Sequence, residues 1–77
     1  MYVIYLHNPP FGDYFWGGDE PYPVWGTLDF AYTYKTLDLA QTEMNSNVVL
    51  KTIQGNQLHK LQVITLQDAQ VLEVMDS

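Results

Sequence analysis

The sequence predicts an α+β fold, a small and mostly antiparallel sheet of four or five strands in the order β-β-(β)-α-β-β with one helix across one face. Three observations lead there. The chain opens on an unbroken β-branched and aromatic run, Tyr2-Val3-Ile4-Tyr5-Leu6. A capped stretch with helical spacing, Thr36 to Met44, follows mid-chain. Beyond it the apolar residues alternate as strand residues do.

The first run carries apolar side chains on both faces, as a central strand buried above and below would. Asn8-Pro9-Pro10-Phe11-Gly12-Asp13 is a turn cluster. Tyr14-Phe15-Trp16 reads as a short second strand, stopped by Gly17-Gly18-Asp19-Glu20-Pro21. Tyr22-Pro23-Val24-Trp25 is a third, confined to a sheet edge because proline cannot donate a ladder hydrogen bond. Thr27 is placed to cap a short helical turn over Leu28–Ala31, with Asp29 near its positive end.

Thr36 is the expected N-cap of the main helix, and Asp38 in its first turn complements the helix dipole. Leu37, Ala40 and Met44 share one face. Asn45-Ser46-Asn47 supplies residues tolerant of the left-handed conformation that ends many helices. Val48-Val49-Leu50-Lys51-Thr52-Ile53 then reads as a strand, with a hairpin turn at Gln54-Gly55-Asn56-Gln57. With Gly55 and Asn56 at the turn centre, Val48 faces Val63, Leu50 faces Leu61, and Lys51 faces Lys60 on a solvated side. Val71-Leu72-Glu73-Val74 is read as a last strand.

With 77 residues, the chain has material for one core, so residues 1–77 form a single domain. All aromatic and proline side chains fall between Tyr2 and Tyr34, yet neither half could sustain a core alone. The apolar fraction of 47% is that of a folded globule, not a disordered tail. Cysteine is absent, which removes disulfides and thiolate metal sites. The N-terminal residues lack a cationic start, and no stretch approaches the roughly 20 apolar residues of a membrane span. A cytoplasmic location is expected.

The strand YVIYL, the turn region DYFWGG, a tryptophan strand and AYTYKTLDLAQTEM entering a helix together resemble small uncharacterised proteins of phages infecting Gram-positive bacteria. The features that recur are Ala31, Tyr34, Thr36, Leu37 and Ala40, and the resemblance as a whole covers roughly residues 2–50. The resemblance implies a phage or prophage accessory protein acting on a host or phage component. It assigns no functional residues.

The net charge is −6, with three lysines (Lys35, Lys51, Lys60) and no arginine. Direct nucleic-acid binding and anionic membranes both call for a cationic footprint that this composition lacks. Acidity serves solubility, and it also suits a protein partner with a basic surface.

Catalytic constellations are thin, and no cofactor is expected. Ser46 and Ser77 have no neighbouring histidine in sequence. Gly17-Gly18 is followed by Asp19 and Glu20, which would repel phosphate. Those two acids could perform acid–base work only inside a walled pocket, for which the chain has little material. His7, His59 and Asp13 could supply a two-His-one-carboxylate ligand set if the first strand lies beside the later hairpin. Otherwise the histidines cap strand ends or sit in solvent. No metal site and no enzyme is the expectation.

The binding case rests on Phe11, Tyr14, Phe15, Trp16, Tyr22 and Trp25. In a strand Tyr14 and Trp16 share one side and Phe15 takes the other. In one arrangement Phe15 and Trp25 fill the core while Tyr14 and Trp16 merely cover the open face of the sheet. In the other, Tyr14, Trp16 and Tyr22 form a contact patch edged by Asp13, Asp19 and Glu20, since Tyr and Trp bury much area for little lost rotamer freedom. These six residues are the candidate partner-binding set. Assembly is the alternative, a homodimer through the exposed edge of Val71–Met75.

Overall fold

A computed structural model describes residues 1–8, 12–18, 24–55 and 60–76. Strand β1 (Tyr2–Asn8) is followed by β2 (Gly12–Trp16) and the two-residue β3 (Trp25–Gly26). A 3-10 turn spans Leu28–Phe30. Helices α1 (Leu37–Ser46) and α2 (Val48–Gln54), strand β4 (Lys60–Thr65) and helix α3 (Leu66–Asp76) complete the chain. The fold is α+β, with a four-stranded antiparallel sheet in the order β3-β2-β1-β4. Among the described residues, no helix is long and apolar enough to cross a membrane.

The first strand is central, and its residues Val3, Ile4, Tyr5 and Leu6 are all buried, as its two-sided apolar pattern predicts. Side chains alternate across the pleat, so β1 feeds two cores. On one face Val3, Tyr5 and Phe15 pack with Ala69 of α3, joined by Leu28, Ala31, Ile64, Leu66 and Leu72. On the other, Ile4, Trp16 and Leu50 pack with Trp25, Tyr34, Met44, Val49, Leu61 and Val63. Helices therefore cover both faces, where a single helix on one face was expected. A central strand apolar on both sides requires that second cover.

The expected strand over 48–53 is helix α2. Asn47 decides this, because its side-chain Oδ1 accepts from the backbone N–H of Val49 (2.9 Å) and Leu50 (3.3 Å). The β preference of Val and Ile is weak, and such a cap together with burial of Leu50 overrides it. Asn47 is extended (φ −80°, ψ 125°), not left-handed, so it closes α1 and opens α2 without a positive φ.

The expected hairpin goes with the strand. Gly55 has helical dihedrals and caps α2 by donating to the Lys51 carbonyl at 3.2 Å. Asn56 and Gln57 lie outside the described residues. Strand β4 pairs with β1 instead, setting Val63 opposite Ile4, Leu61 opposite Leu6 and Lys60 opposite His7. Lys51 is not across from Lys60.

Residues 71–74, read as a final strand, belong to helix α3. Thr65 Oγ1 accepts from the Asp68 N–H at 3.1 Å, a cap at the helix start. Leu66, Ala69 and Leu72 then recur every third residue on the buried side, while Val71 is exposed. The edge expected at Val71–Met75 is thus absent, and dimerisation through it is ruled out by the helix.

The main helix forms as its sequence predicts, with Thr36 Oγ1 accepting from the Leu39 N–H at 3.2 Å. Of its predicted inner face, Ala40 is buried, Met44 is partly buried against the core, and Leu37 stays exposed at the first turn. Thr27 precedes the 3-10 turn without a side-chain cap bond. The third strand is shorter than predicted and lies at the sheet edge. Tyr22 and Pro23 lie outside the described residues.

Candidate functional site

Of the six residues expected to form one contact patch, the three described ones, Asp13, Tyr14 and Trp16, are not brought together on one surface. Asp13 and Tyr14 are neighbours in β2 and project to opposite faces of the sheet. Trp16 shares Tyr14's face but is completely buried with Ile4 and Leu50, so it is a core residue and has no surface to offer. Its ring meets Trp25 at a centroid distance of 5.1 Å and an interplanar angle of 56°. Packing with α1 and α2 draws it inward, cover that the sequence did not suggest. The Trp16 indole Nε1 is buried with no hydrogen-bond partner among the described residues. Asp19, Glu20 and Tyr22 lie outside those residues.

An aromatic surface does exist, carried by the segment after β3. Phe30 is 74% exposed and Tyr32 is 55% exposed, with exposed Asp29 beside them in sequence. Leu28 and Ala31 pack into the α3-side core, which leaves Phe30 and Tyr32 directed outward. The segment is seated on β2 by its backbone, the Tyr32 N–H donating to the Trp16 carbonyl at 2.8 Å. Tyr34, two residues on, exchanges 2.8 Å hydrogen bonds in both directions with Tyr2. Tyr32 and Tyr34 rings meet at 4.9 Å. The surface is therefore fixed at several points, as a pre-organised contact requires.

Gly17 and Gly18 make this seating possible. A Cβ on Gly17 would lie 2.9 Å from the Phe30 carbonyl oxygen, and Gly18 has φ +98°, where a side chain is strained although one there would meet Tyr32 Cδ2 only at an ordinary 3.8 Å. Only glycine accepts both demands without strain. Gly17 and Gly18 are also hydrogen-bonded to Val24, Gly17 N–H to the Val24 carbonyl at 2.9 Å and Val24 N–H to the Gly18 carbonyl at 3.0 Å. Residues 19–23, which include Asp19, Glu20 and Tyr22, join these paired positions. Phe30 and Tyr32 escaped the sequence reading because the Leu28–Ala31 turn looked wholly structural. The available signal was the three-residue spacing of Leu28 and Ala31, which turns Phe30 away from the core.

A second cluster sits on the α3 face of the sheet. Asp13 Oδ1 accepts from the Tyr5 hydroxyl at 2.7 Å and lies 2.6 Å from His7 Nδ1. Strand register creates the group, since His7 and Asp13 are directly paired and Tyr5 is two residues along the same face. The Tyr5 and His7 rings stack, 6.4 Å apart and 10° from parallel. An ionised carboxylate can only accept, so in this contact Nδ1 carries a proton and donates it to Asp13. His7 is 45% exposed and Asp13 16%. An imidazole oriented in this way is the arrangement seen in general bases and metal ligands. Among the described residues, however, no group of three His, Cys, Asp or Glu could hold a metal ion. His59, the third member of the expected ligand set, lies outside them. What the cluster does here is tie β1 to β2.

Open, modest depressions lie among the described residues. One of about 520 Å³ is lined by Glu43, Ser46, Asn47, Val48 and Val49, and one of about 590 Å³ by residues at the start of β1 and of α3. Neither contains the Tyr5–His7–Asp13 group or the Phe30–Tyr32 surface.

No protein family, curated protein or solved structure matches the chain.

Proposed function

We propose that the chain is a small acidic, non-catalytic accessory protein of the phage type that acts in the cytoplasm by binding a host or phage protein and blocking its activity. The observation carrying this reading is the outward exposure of Phe30 and Tyr32 above the anchored Leu28 and Ala31. Large rings held rigidly in water cost solvation and gain it back on contact, which is why they dominate binding hot spots. Asp29 lies beside them in sequence, the chain carries −6 overall, and Asp19 and Glu20 follow directly on Gly18. A partner presenting Lys or Arg around an apolar groove fits such a surface, through cation–π contact and charge complementarity.

Charge reversal tests the acidic part of the reading. Asp19→Lys/Glu20→Lys protein, immobilised beside wild type, is expected to capture the partner more weakly and with a flatter dependence on salt. Equal capture with equal salt dependence would remove the acidic residues from the contact.

A further inference from the structure

Strand β4 is the outer strand of the described sheet, and hydrogen bonding at its end shows which of its backbone groups face outward. The Leu66 N–H donates to the Met1 carbonyl at 2.9 Å, while Tyr2 exchanges both of its backbone bonds with Tyr34 on the other side of β1. Antiparallel ladders alternate between bonded and non-bonded pairs. Val3–Ile64, Tyr5–Gln62 and His7–Lys60 are therefore the bonded pairs of the β1–β4 register, and Leu61 and Val63 turn their N–H and C=O groups away from β1. The Thr65 N–H points the same way. Between Lys60 and the start of α3 this edge has no charge and no proline, two of the devices that ordinarily block strand addition.

We infer that the β4 edge is the contact between two copies of this chain, joined antiparallel about a twofold axis through Val63. A twofold axis perpendicular to the sheet pairs residues of the same face. With Val63 opposite its own copy, Leu61 comes opposite Thr65 of the second copy, so the outward groups of these residues meet one another. A shift of two residues in either direction leaves part of this set unpaired. The same register brings Lys60 opposite Leu66 of the second copy, next to Asp68 in the first turn of its α3. Lys60 and Asp68 are both exposed, and both belong to the face covered by α3. The axis repeats that opposite-charge pair at the other end of the contact. A copy of this chain thus supplies both the backbone complement and the charge complement. From its start at β4, α3 packs toward Phe15, Leu28 and Ala31, and among the described residues no element pairs with the outer edge of β4. Because β4 is the edge opposite β3, the pairing leaves the Phe30–Tyr32 surface of each copy uncovered and stands independently of the function proposed for it.

Sedimentation equilibrium of the full chain tests the contact. Wild type is expected to dimerise reversibly, and Lys60→Glu and Asp68→Lys are each expected to raise the dimer Kd about tenfold. Mixed in equal amounts, the two variants restore both ion pairs in a heterodimer, so association should return to within about threefold of wild type. Val63→Pro removes an outward N–H and also replaces a side chain packed on the Ile4–Trp16–Leu50 core; where it folds, with far-ultraviolet circular dichroism unchanged, it should be a monomer. If that variant unfolds, the charge pair decides alone. Wild type that stays monomeric up to millimolar concentration overturns the inference, and so does a dimer that neither charge variant weakens.

Discussion

Gly17 and Phe30 are in such close approach that a side-chain carbon on the glycine would lie 2.9 Å from the Phe30 carbonyl oxygen. Val24 Cγ1 closes the same space at 3.2 Å. The missing side chain at the end of β2 is what lets the 28–32 segment lie against the sheet and present its rings. Substitution here acts on the proposed contact surface from beneath.

Gly17→Ala should therefore destabilise the domain by about 1–3 kcal/mol, the usual cost of forcing atoms into a closed space. Urea unfolding measures it. A loss below about 0.5 kcal/mol would mean that the segment is not seated as described.

The two ends of the chain's sequence pattern were legible to different degrees. The first strand, Tyr14–Trp16, the Thr36 cap and the Leu37–Ser46 helix are local events, each specified by residues adjacent in sequence. The 48–53 run was not legible from periodicity, because Val48-Val49-Leu50-Lys51-Thr52-Ile53 fits a strand about as well as a short helix. What settles it is one capping side chain, Asn47, and the packing of Leu50 on Trp16. The Leu66–Asp76 helix was hidden similarly, its Thr65 cap following a strand without a break. The contact residues suffered from this directly. Without a second helical layer Trp16 looked available, and Phe30 and Tyr32 looked structural.

Asn47→Ala should cost about 1 kcal/mol, since both the Val49 and Leu50 N–H groups lose their acceptor. Thermal unfolding followed by circular dichroism checks it. A neutral result would argue that packing alone holds residues 48–54 in a helix.

Leu50→Ala and Val48→Thr separate helix from strand at this segment. As a helix, Leu50 is fully buried and Val48 is 78% exposed. The first change should cost about 2–5 kcal/mol and the second less than about 0.5 kcal/mol. A strand would put both residues on one face, and their costs would then be alike.

Asp13→Ala removes the shared acceptor of Tyr5 and His7. The largely buried Tyr5 hydroxyl loses that partner, so a cost of about 1–3 kcal/mol is expected, while half-exposed His7 stays hydrated. In the Asp13→Ala background, Tyr5→Phe should cost less than it does in wild type, what remains being contacts such as that of the hydroxyl with His7 Nδ1 at 3.4 Å. Independent, additive losses in this double-mutant cycle would show that the two side chains are not coupled.

The proposed binding surface is tested most directly by replacing its two rings. Phe30→Ser/Tyr32→Ser protein and wild type would be immobilised side by side and challenged with lysate of a Gram-positive host, then eluted with rising salt. The account predicts one stoichiometric protein partner on wild type, released as salt rises and absent from the variant, with thermal stability unchanged within about 0.5 kcal/mol. The same partner held equally by both proteins would contradict it.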